Sequence, residues 1–509
     1  MRGPWPDSPG RSRIISTLLA AARTVPAGRV ALDDGQQQIA YGELEAVVAD
    51  EGGWLEASGG ERFATLADNG VGWALTDLAL HARNAFHVPL PGYFTPAQLL
   101  HVLDDAGVDT VLTDDLSRLR PLLSGWRTAG MSGRSGFAMF RRQVDPAGRS
   151  RVPPGTCKVT YTSGSTAAPQ GVCLSAPQLE RVAASLAGAT SGLGIERHLC
   201  LLPLATLLEN VAGIYAPLLV GATALLPPSS VTGMSYAGPD VARMLQAVSK
   251  SRPGSLVLVP ELLQLIVTAA ERGWVVPPDL RFVAVGGASV SASLLHRAET
   301  AGLPVFEGYG LSECASVVCL NTPAAHRPGS VGRPLPHAQV RVGPDGEIRV
   351  SGVTMLGRLG DEPRSPDTEY ATGDLGEIDA DGFVYVRGRA RNVFITSFGR
   401  NVSPEWVERE IAQQPGIRHV MVCGEARPYA VALVSAHRPG VDDAAIERAI
   451  ATANATLPEY AQVRRWLRVS EPFTFEDGLL TSNGRLRRSE IAGRYRSLLD
   501  SLYREAPVS

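Results

Sequence analysis

Apolar and polar positions alternate in two different ways along the chain. Segment 69–91 begins with apolar residues at helical spacing and ends in a short apolar run closed by prolines, which predicts a helix followed by a strand. Similar alternation of helix and strand patterns recurs at 211–228, 255–270 and 280–310. Short β-branched runs between helices of about a dozen residues are typical of parallel strands joined by crossover helices. The predicted fold class is therefore α/β, with a large N-terminal domain of layered sheets and helices.

The pattern changes after about residue 340. Strand-like segments with Asp-Gly turns at 345–352 and 378–389 predict β-hairpins. From Arg391 to the end, strand and helix patterns mix over a short length, which indicates a small α+β unit of its own.

Composition and charge exclude several classes of protein. Charged residues make up 19% of the 509 residues and the net charge is -3, so nothing favours disorder or a nucleic-acid partner. Six cysteines lack a CxxC pair, which predicts reduced thiols in a cytoplasmic protein. The apolar run near the N-terminus is interrupted by Ser16 and followed by Arg23, which argues against a signal peptide or an integral membrane segment. No pattern indicates an oligomeric state.

Residues 161–175, YTSGSTAAPQGVCLS, place many hydroxyl groups around one glycine. Backbone N–H groups of such a turn, with Ser and Thr hydroxyls, can form a nest for phosphate oxygens. A P-loop is excluded because Gly171 is followed by Val172 and not by Lys. A polar surface turn remains the plain alternative. Further glycine bends are predicted at 286–287 and 308–310, each after a strand, and ligands of parallel sheets sit at such strand ends.

Six motifs in a fixed order resemble those of the adenylate-forming superfamily, which includes acyl-CoA synthetases, luciferases and peptide-synthetase adenylation domains. The motif sequences most closely resemble those of long-chain acyl-CoA ligases. The resemblance implies an N-terminal AMP-binding and acyl-substrate domain over 1–388 and a mobile C-terminal domain over 389–509, with Arg391 at the hinge. The motifs are YTSGSTAAPQGV (161–172), LPLATLLEN (202–210), FEGYGLSE (306–313), YATGDLGEIDADGFVYVRGRARN (370–392), ITSFGRNVSPEWVE (395–408) and LLTSNGRLRRSEI (479–491).

The resemblance also implies which residues bind the nucleotide. Asp374 would hold the ribose hydroxyls, which suits a carboxylate with two acceptor oxygens, and Tyr309 would stack on adenine. A turn-capping Asp and an ordinary core aromatic are the plain alternatives. The implied nucleotide ligands are Thr162, Ser163, Gly164, Ser165, Thr166, Gln170, Gly286, Gly287, Ala288, Glu307, Gly308, Tyr309, Gly310, Asp374 and Arg389.

The remaining implied roles concern metal, substrate and catalysis. Glu313, with Thr162, would ligate Mg²⁺, a hard ion that prefers oxygen ligands. The implied catalytic residues are Ser312, Glu313, Arg389 and Arg485. Gly399 would line the pantetheine tunnel for CoA. The implied acid-substrate pocket contains Thr206, Leu207, Val211, Gly213 and Ala315.

Three positions depart from the family pattern. Arg485 stands where the family has its catalytic lysine, Gln170 where the phosphate loop has lysine, and Thr206 where fatty-acid ligases commonly have histidine. The chain holds only two lysines among 48 basic residues, so a general drift toward arginine explains Arg485, although guanidinium and ammonium differ in shape. Gln170 has lost the charge altogether.

Three functions therefore remain open. The first is an acyl- or aryl-CoA ligase that uses ATP, Mg²⁺ and CoA. The second is an adenylating enzyme with another acceptor, such as an amine, a carrier protein, or the variant chemistry that activates nitrite to diazotise an aromatic amine. The third is a degenerate nucleotide-binding protein without turnover.

Overall fold

The computed structural model describes residues 24–132, 134–144, 150–162, 169–235, 238–397, 400–436, 440–481 and 484–503. Contacts group the chain into two compact units. The first consists of the chain up to Ala288, Leu295–Val340 and Val350–Tyr370. The second consists of Ser289–Leu294, Arg341–Arg349 and Ala371–Ser509.

The described strands are numbered along the chain. They are β1 Val30–Asp33, β2 Gln38–Ala40, β3 Arg62–Leu66, β4 Phe86–Pro89, β5 Thr110–Thr113, β6 Arg127–Met131, β7 Ala138–Arg141, β8 Thr156–Thr162, β9 Gln170–Ser175, β10 Arg197–Leu199, β11 Thr223–Leu225, β12 Ser255–Leu258, β13 Phe282–Val285, β14 Val305–Leu311, β15 Ser316–Leu320, β16 Arg333–Pro334, β17 Gln339–Val342, β18 Glu347–Ser351, β19 Gly357–Arg358, β20 Tyr370–Ile378, β21 Val384–Arg389, β22 Phe394–Ile395, β23 Asn401–Val402, β24 Ile417–Cys423, β25 Ala430–Ala436 and β26 Val463–Arg468.

The described helices are numbered in the same way. They are α1 Tyr41–Ala57, α2 Val71–Ala82, α3 Pro96–Asp105, α4 Leu116–Leu119, α5 Ala176–Thr190, α6 Leu207–Glu209, α7 Ala216–Leu219, α8 Ser229–Thr232, α9 Val241–Ser251, α10 Pro260–Glu271, α11 Ala292–Thr300, α12 Pro404–Ala412, α13 Asp443–Asn454, α14 Arg488–Arg494 and α15 Arg496–Ser501. Asn210–Tyr215 forms a π-helix between α6 and α7.

Two large sheets form the first unit. One has the order β19-β9-β8-β4-β3-β5-β7-β6, and the other has the order β16-β15-β14-β13-β12-β10-β11-β1-β2. In the second sheet β12, β13 and β14 run parallel, with α10 and α11 between them along the chain. The helix and strand predicted in 69–91 are α2 and β4. The α/β prediction is therefore confirmed.

The two faces of β8 and β9 pack against different hydrophobic cores. Val172 and Leu174 belong to the main core, which also contains Phe282 of β13 and Phe306 of β14. Val159 belongs to a second core together with residues of α3. Side chains of a strand alternate between faces. The parity of a residue number therefore tells which core it faces on β9, and on β8 from Lys158 onward, because the register shifts between Thr156 and Lys158.

The bend predicted at 308–310 is wrong, since these residues lie inside β14. The first part of β14 pairs parallel with β13, and the part from Gly308 onward pairs antiparallel with β15. A Cβ on Gly310 would lie 1.8 Å from the carbonyl oxygen of Ser316. The glycine is therefore required by close backbone approach within a strand pair, and not by a turn.

The second unit is a small α+β assembly, as predicted. β20 and β21 form an antiparallel hairpin, which confirms the hairpin predicted at 378–389. β24 and β25 pair antiparallel, and β25 pairs parallel with β26. Residues of α12 and α13 pack on this sheet in one hydrophobic core.

The six cysteines are free, and five of them are buried, in agreement with the predicted reduced thiols. Within the described parts of the chain, no helix is both long enough and apolar enough to cross a membrane.

Candidate functional site

The predicted glycine bend after β13 is present at 286–288. Gly286 N donates to the carbonyl oxygen of Leu258 at 3.1 Å. A Cβ on Gly286 would lie 3.4 Å from the carbonyl oxygen of Gly308, so the bend packs against β14. Gly287 has a φ of +82°, which glycine adopts without strain. Gly287 and Ala288 are exposed, and their backbone is therefore accessible to a ligand.

Glu313 lies on a tight turn that fixes its position. Ser312–Cys314 forms one turn of 3₁₀-helix, and Ala315 and Ser316 follow with φ values of +57° and +103°. Such values are strained for residues with a Cβ and cluster at functional sites. The carbonyl oxygen of Glu313 accepts a hydrogen bond from Met355 N at 2.7 Å. The turn therefore holds the carboxylate that was predicted as a metal ligand.

A guanidinium lies beside this carboxylate. Arg358 Nη2 is 3.1 Å from Glu313 Oε1, and the Glu313 side chain is only 14% exposed. A carboxylate oxygen is the kind of ligand that hard divalent cations prefer. The arginine offsets its charge when no cation is bound. Sequence reasoning did not single out Arg358, because the two-residue strand β19 has no pattern of its own.

The described ends of the predicted phosphate loop share one sheet face with this arginine. Thr162 lies opposite Gln170 in the β8–β9 pair, and Arg358 lies opposite Val172 in the β19–β9 pair. Residues that face each other across strands, or lie two apart along one strand, project to the same side. Thr162, Gln170 and Arg358 therefore lie on the face of the main core. The predicted phosphate ligands Ser163, Gly164, Ser165 and Thr166 lie outside the described residues.

Two predicted nucleotide ligands on β14 have different environments. Glu307 is buried, and its Oε2 accepts a hydrogen bond from Gly329 N at 3.0 Å. This contact ties the 329 turn to the strand. Tyr309 is half-buried. The roles predicted for Glu307, Gly308, Tyr309 and Gly310 remain predictions.

Most of the predicted substrate-pocket residues line the main core. Leu207, Val211 and Ala315 are buried members of it. Thr206 directly precedes α6, is half-buried, and donates through Oγ1 to the carbonyl oxygen of Pro203 at 2.6 Å. These residues are apolar or locally satisfied, so a substrate beside them would meet an apolar surface.

Gly213 lies in the π-helix, a form that is frequent at functional sites. A Cβ at this position would lie 2.6 Å from Cys200 Sγ and 2.7 Å from Glu209 Oε1. Close packing against these two buried side chains therefore explains the glycine without a substrate.

In the second unit, Asp374 and Arg389 form an ion pair. They are opposite each other on β20 and β21, and Arg389 Nε is 2.8 Å from Asp374 Oδ1. Arg389 Nη1 also donates to the carbonyl oxygen of Thr372 at 3.0 Å. Asp374 is 7% exposed and Arg389 is 38% exposed. The structure thus brings together two residues that were predicted separately as nucleotide ligands.

Two further predicted residues of the second unit, Arg391 and Arg485, lie at its surface. Arg391 is exposed on the 3₁₀-turn Ala390–Asn392. Arg485 is exposed on a turn in which Thr481 N donates to the carbonyl oxygen of Arg485 at 2.7 Å and Arg485 N donates to Thr481 Oγ1 at 3.0 Å. Gly399 lies outside the described residues.

A buried charge cluster around Lys158 of β8 was not predicted from the sequence. Lys158 is 2% exposed, and its Nζ donates to Asp77 Oδ1 at 2.7 Å, Asn210 Oδ1 at 2.5 Å and Tyr215 Oη at 3.1 Å. Burial alone would raise the pKa of Asp77, but the Lys158 ammonium and His87 hold it far below its usual value. The rarity of lysine in this chain was the one available signal.

Two family models match the chain. The model described as AMP-binding enzyme matches residues 18–359, and the model described as AMP-binding enzyme C-terminal domain matches residues 391–507. The first alone covers more than half of the chain.

Several known proteins are similar over almost the whole length. A long-chain-fatty-acid–CoA ligase, FadD15, of Mycobacterium bovis is 25% identical, with 88% of this chain and 89% of the relative covered. A feruloyl-CoA synthase of an Amycolatopsis species is 27% identical, with 91% and 96% covered.

Solved structures share the fold. The anthranilate CoA ligase AuaEII in complex with anthranoyl-AMP superposes with a TM-score of 0.76 at 18% identity, with 95% of this chain and 98% of the other covered. The amide bond synthetase McbA from Marinactinospora thermotolerans superposes with a TM-score of 0.73 at 22% identity, with 95% and 100% covered. The chain belongs to the AMP-binding enzyme family and is an adenylate-forming ligase of the acyl-CoA synthetase type.

Proposed function

We propose that the protein activates a carboxylic acid with ATP, releases pyrophosphate, and transfers the acyl or aryl group from the adenylate to CoA. The observation that carries this proposal is the position of Glu313. Its carboxylate is fixed beside Arg358, on the sheet face that Thr162 and Gln170 share. An anionic metal ligand, a cation and the ends of a hydroxyl-rich loop suit a metal–triphosphate substrate.

The chain's own residues would do most of the work by positioning and charge neutralisation. Glu313, with Thr162, would hold Mg²⁺, which when bound neutralises phosphate charge. The Ser312 hydroxyl would donate a hydrogen bond to an α-phosphate oxygen. Asp374 would accept from the ribose hydroxyls, with Arg389 fixing its carboxylate. Arg485 would supply the positive charge that the family places between the carboxylate and the α-phosphate.

The second half-reaction would need a different arrangement of the small domain. We propose that residues 389–509 move about a hinge at Arg391, so that one set of groups replaces another between the two steps. The exposed position of Arg391 on a short turn is compatible with a change in its backbone angles. Gly399 would then line the tunnel for pantetheine.

The substrate is proposed to be an apolar or aromatic acid. The predicted pocket residues Leu207, Val211 and Ala315 are apolar and belong to the main core. Two relatives are named as a long-chain-fatty-acid–CoA ligase and a feruloyl-CoA synthase. A cytoplasmic location is proposed because the cysteines are free and mostly buried.

A different acceptor is the second candidate. The fold match with a protein named as an amide bond synthetase favours an amine, and the same first step also fits a carrier protein or nitrite activation. Consumption of CoA separates these candidates, because only the first forms an acyl-CoA thioester.

The experiment is ATP–pyrophosphate exchange with the full chain over fatty acids, aromatic acids and nitrite, followed by analysis of the product with and without CoA. Acid-dependent exchange and an acyl-CoA product support the proposal. Exchange without an acyl-CoA product would favour the second candidate. Tight AMP binding without exchange for any acid would indicate a nucleotide-binding protein without turnover.

A further inference from the structure

The phosphate loop of this chain lacks a positive charge at its second end. The family pattern has lysine at the position of Gln170, where β9 begins. Glutamine can donate hydrogen bonds but cannot neutralise phosphate. A chain that still uses a triphosphate needs a cation from another part of the site.

Strand register brings one such cation to this point. Arg358 lies opposite Val172 on β9, and Gln170 lies two residues earlier on the same strand. Diagonal neighbours of this kind are about 7 Å apart on one face, within reach of long side chains. Thr162, directly opposite Gln170, completes a row of three side chains on that face.

The contact with Glu313 uses only part of the hydrogen-bonding capacity of the Arg358 guanidinium. Nη2 contacts Glu313 Oε1, while Nε is buried without a hydrogen-bond partner among the described residues. The side chain is 36% exposed, so part of it remains accessible to a ligand. A planar fork of this kind binds phosphate oxygens through two parallel hydrogen bonds.

An ordinary surface ion pair does not explain these features. In the pair of Arg151 with Glu362, by contrast, both partners are more than half exposed, and neither residue is a predicted ligand. Arg358 instead contacts the predicted metal ligand Glu313, at the point where a triphosphate would bring several negative charges.

We propose that Arg358 is a phosphate-binding residue that supplies, from the neighbouring strand, the positive charge missing at Gln170. Its guanidinium binds the oxygens of the leaving pyrophosphate portion of ATP, and the contact with Glu313 positions it for this role. This inference rests on the proposed use of ATP.

The first test compares nucleotide binding in three proteins by titration calorimetry with Mg·ATP and with AMP. The variants are Arg358→Gln and the matched control Arg151→Gln, which removes one positive charge from an exposed ion pair of the same unit. We expect Arg358→Gln to weaken ATP binding at least tenfold and AMP binding less than twofold, with Arg151→Gln unchanged for both. Equal weakening of ATP and AMP, or no weakening in a variant with an unchanged melting temperature, would overturn the inference.

The second test is rescue in the exchange assay. Gln170→Lys should raise the exchange rate of Arg358→Gln at least tenfold, and this gain should exceed the effect of Gln170→Lys in the parent, because a lysine at position 170 replaces the positive charge that Arg358→Gln removes. Equal effects of Gln170→Lys in both backgrounds would contradict a shared role. ATP binding without exchange in the parent would refute the proposed function alone, and the calorimetry would still decide on Arg358. A parent that does not bind ATP would refute both.

Discussion

Arg389 and Asp374 face each other across a β-hairpin, with the guanidinium Nε 2.8 Å from the carboxylate Oδ1. The carboxylate is nearly buried, while a third of the arginine remains exposed. One carboxylate oxygen is thus held by the arginine, and the orientation of the carboxylate is fixed before a ligand arrives.

Asp374→Asn should raise the KM for ATP at least tenfold in the exchange assay, because an amide replaces one of the two acceptor oxygens that would receive the ribose hydroxyls. Glu377→Gln is the matched control, since Glu377 lies on the same strand and pairs with Arg387 at the exposed surface. An unchanged KM for ATP in Asp374→Asn would remove this residue from the site.

Arg485→Lys should keep the exchange rate within tenfold of the parent, since it preserves the positive charge on an exposed turn. Arg485→Ala should lower the rate by about 10²–10³, the usual loss for one well-placed charge donor. A collapse of more than about tenfold, or about 1.4 kcal/mol, in Arg485→Lys would show that the site requires a guanidinium.

Lysine acetylation should leave the enzyme active. Lys158 is buried in its charge cluster, Lys250 is exposed in the last turn of α9, and Arg485 has no amine to acetylate. After treatment with acetic anhydride, peptide mass spectrometry should find Lys250 modified and Lys158 unmodified, with exchange activity retained. Loss of activity that maps to neither lysine would contradict this explanation.

Lys158→Met should lower the free energy of unfolding by about 3–5 kcal/mol, the range for removal of one partner from a buried ion pair. Asp77 would then be a buried carboxylate without its main cation. Adding Asp77→Asn should recover part of the loss. Lys250→Met is the control and should change stability by less than about 0.5 kcal/mol. Urea titration measures all four proteins, and a Lys158→Met variant as stable as the control would refute the role of the cluster.

Some of these features could be predicted from the sequence and others could not. Local patterns are enough for α2 followed by β4, because apolar spacing and flanking prolines act over a dozen residues. The path of β14 is different, since residues 308–310 continue as a strand only because β15 pairs with them. The Lys158 cluster joins segments around 77, 87, 158 and 210–215, and no spacing within one segment indicates it.

The proposed phosphate site likewise combines residues that the sequence predicts with one residue that it does not. Motif order predicts nucleotide-binding roles for Glu313, Asp374 and Gln170. Arg358 becomes visible only through the register of a two-residue strand against β9, since compensation for a lost charge depends on neighbours in space.

His337 should make the first unit sensitive to acid. Burial lowers the pKa of this histidine to about 4, although its contact with the carbonyl oxygen of Val317 at 2.9 Å acts in the opposite direction. The unfolded chain, with an ordinary pKa of about 6.5, binds more protons than the folded protein between pH 6.5 and 4. Stability is therefore fully present above pH 6.5 and falls as the pH drops toward 4.

Between pH 7 and pH 4.5, the free energy of unfolding measured by urea titration should fall by about 2 kcal/mol more in the parent than in His337→Gln. Glutamine keeps an N–H donor for the Val317 carbonyl but does not titrate. Equal losses in the two proteins would show that other groups cause the acid sensitivity.

The most direct test of the central claim follows an oxygen atom. With an acid substrate labelled with ¹⁸O in its carboxylate, attack on the α-phosphate and later release of AMP transfer one labelled oxygen to AMP. We predict AMP that carries one ¹⁸O, together with unlabelled pyrophosphate, as detected by mass spectrometry. Unlabelled AMP, or ADP as the nucleotide product, would contradict adenylate formation by this protein.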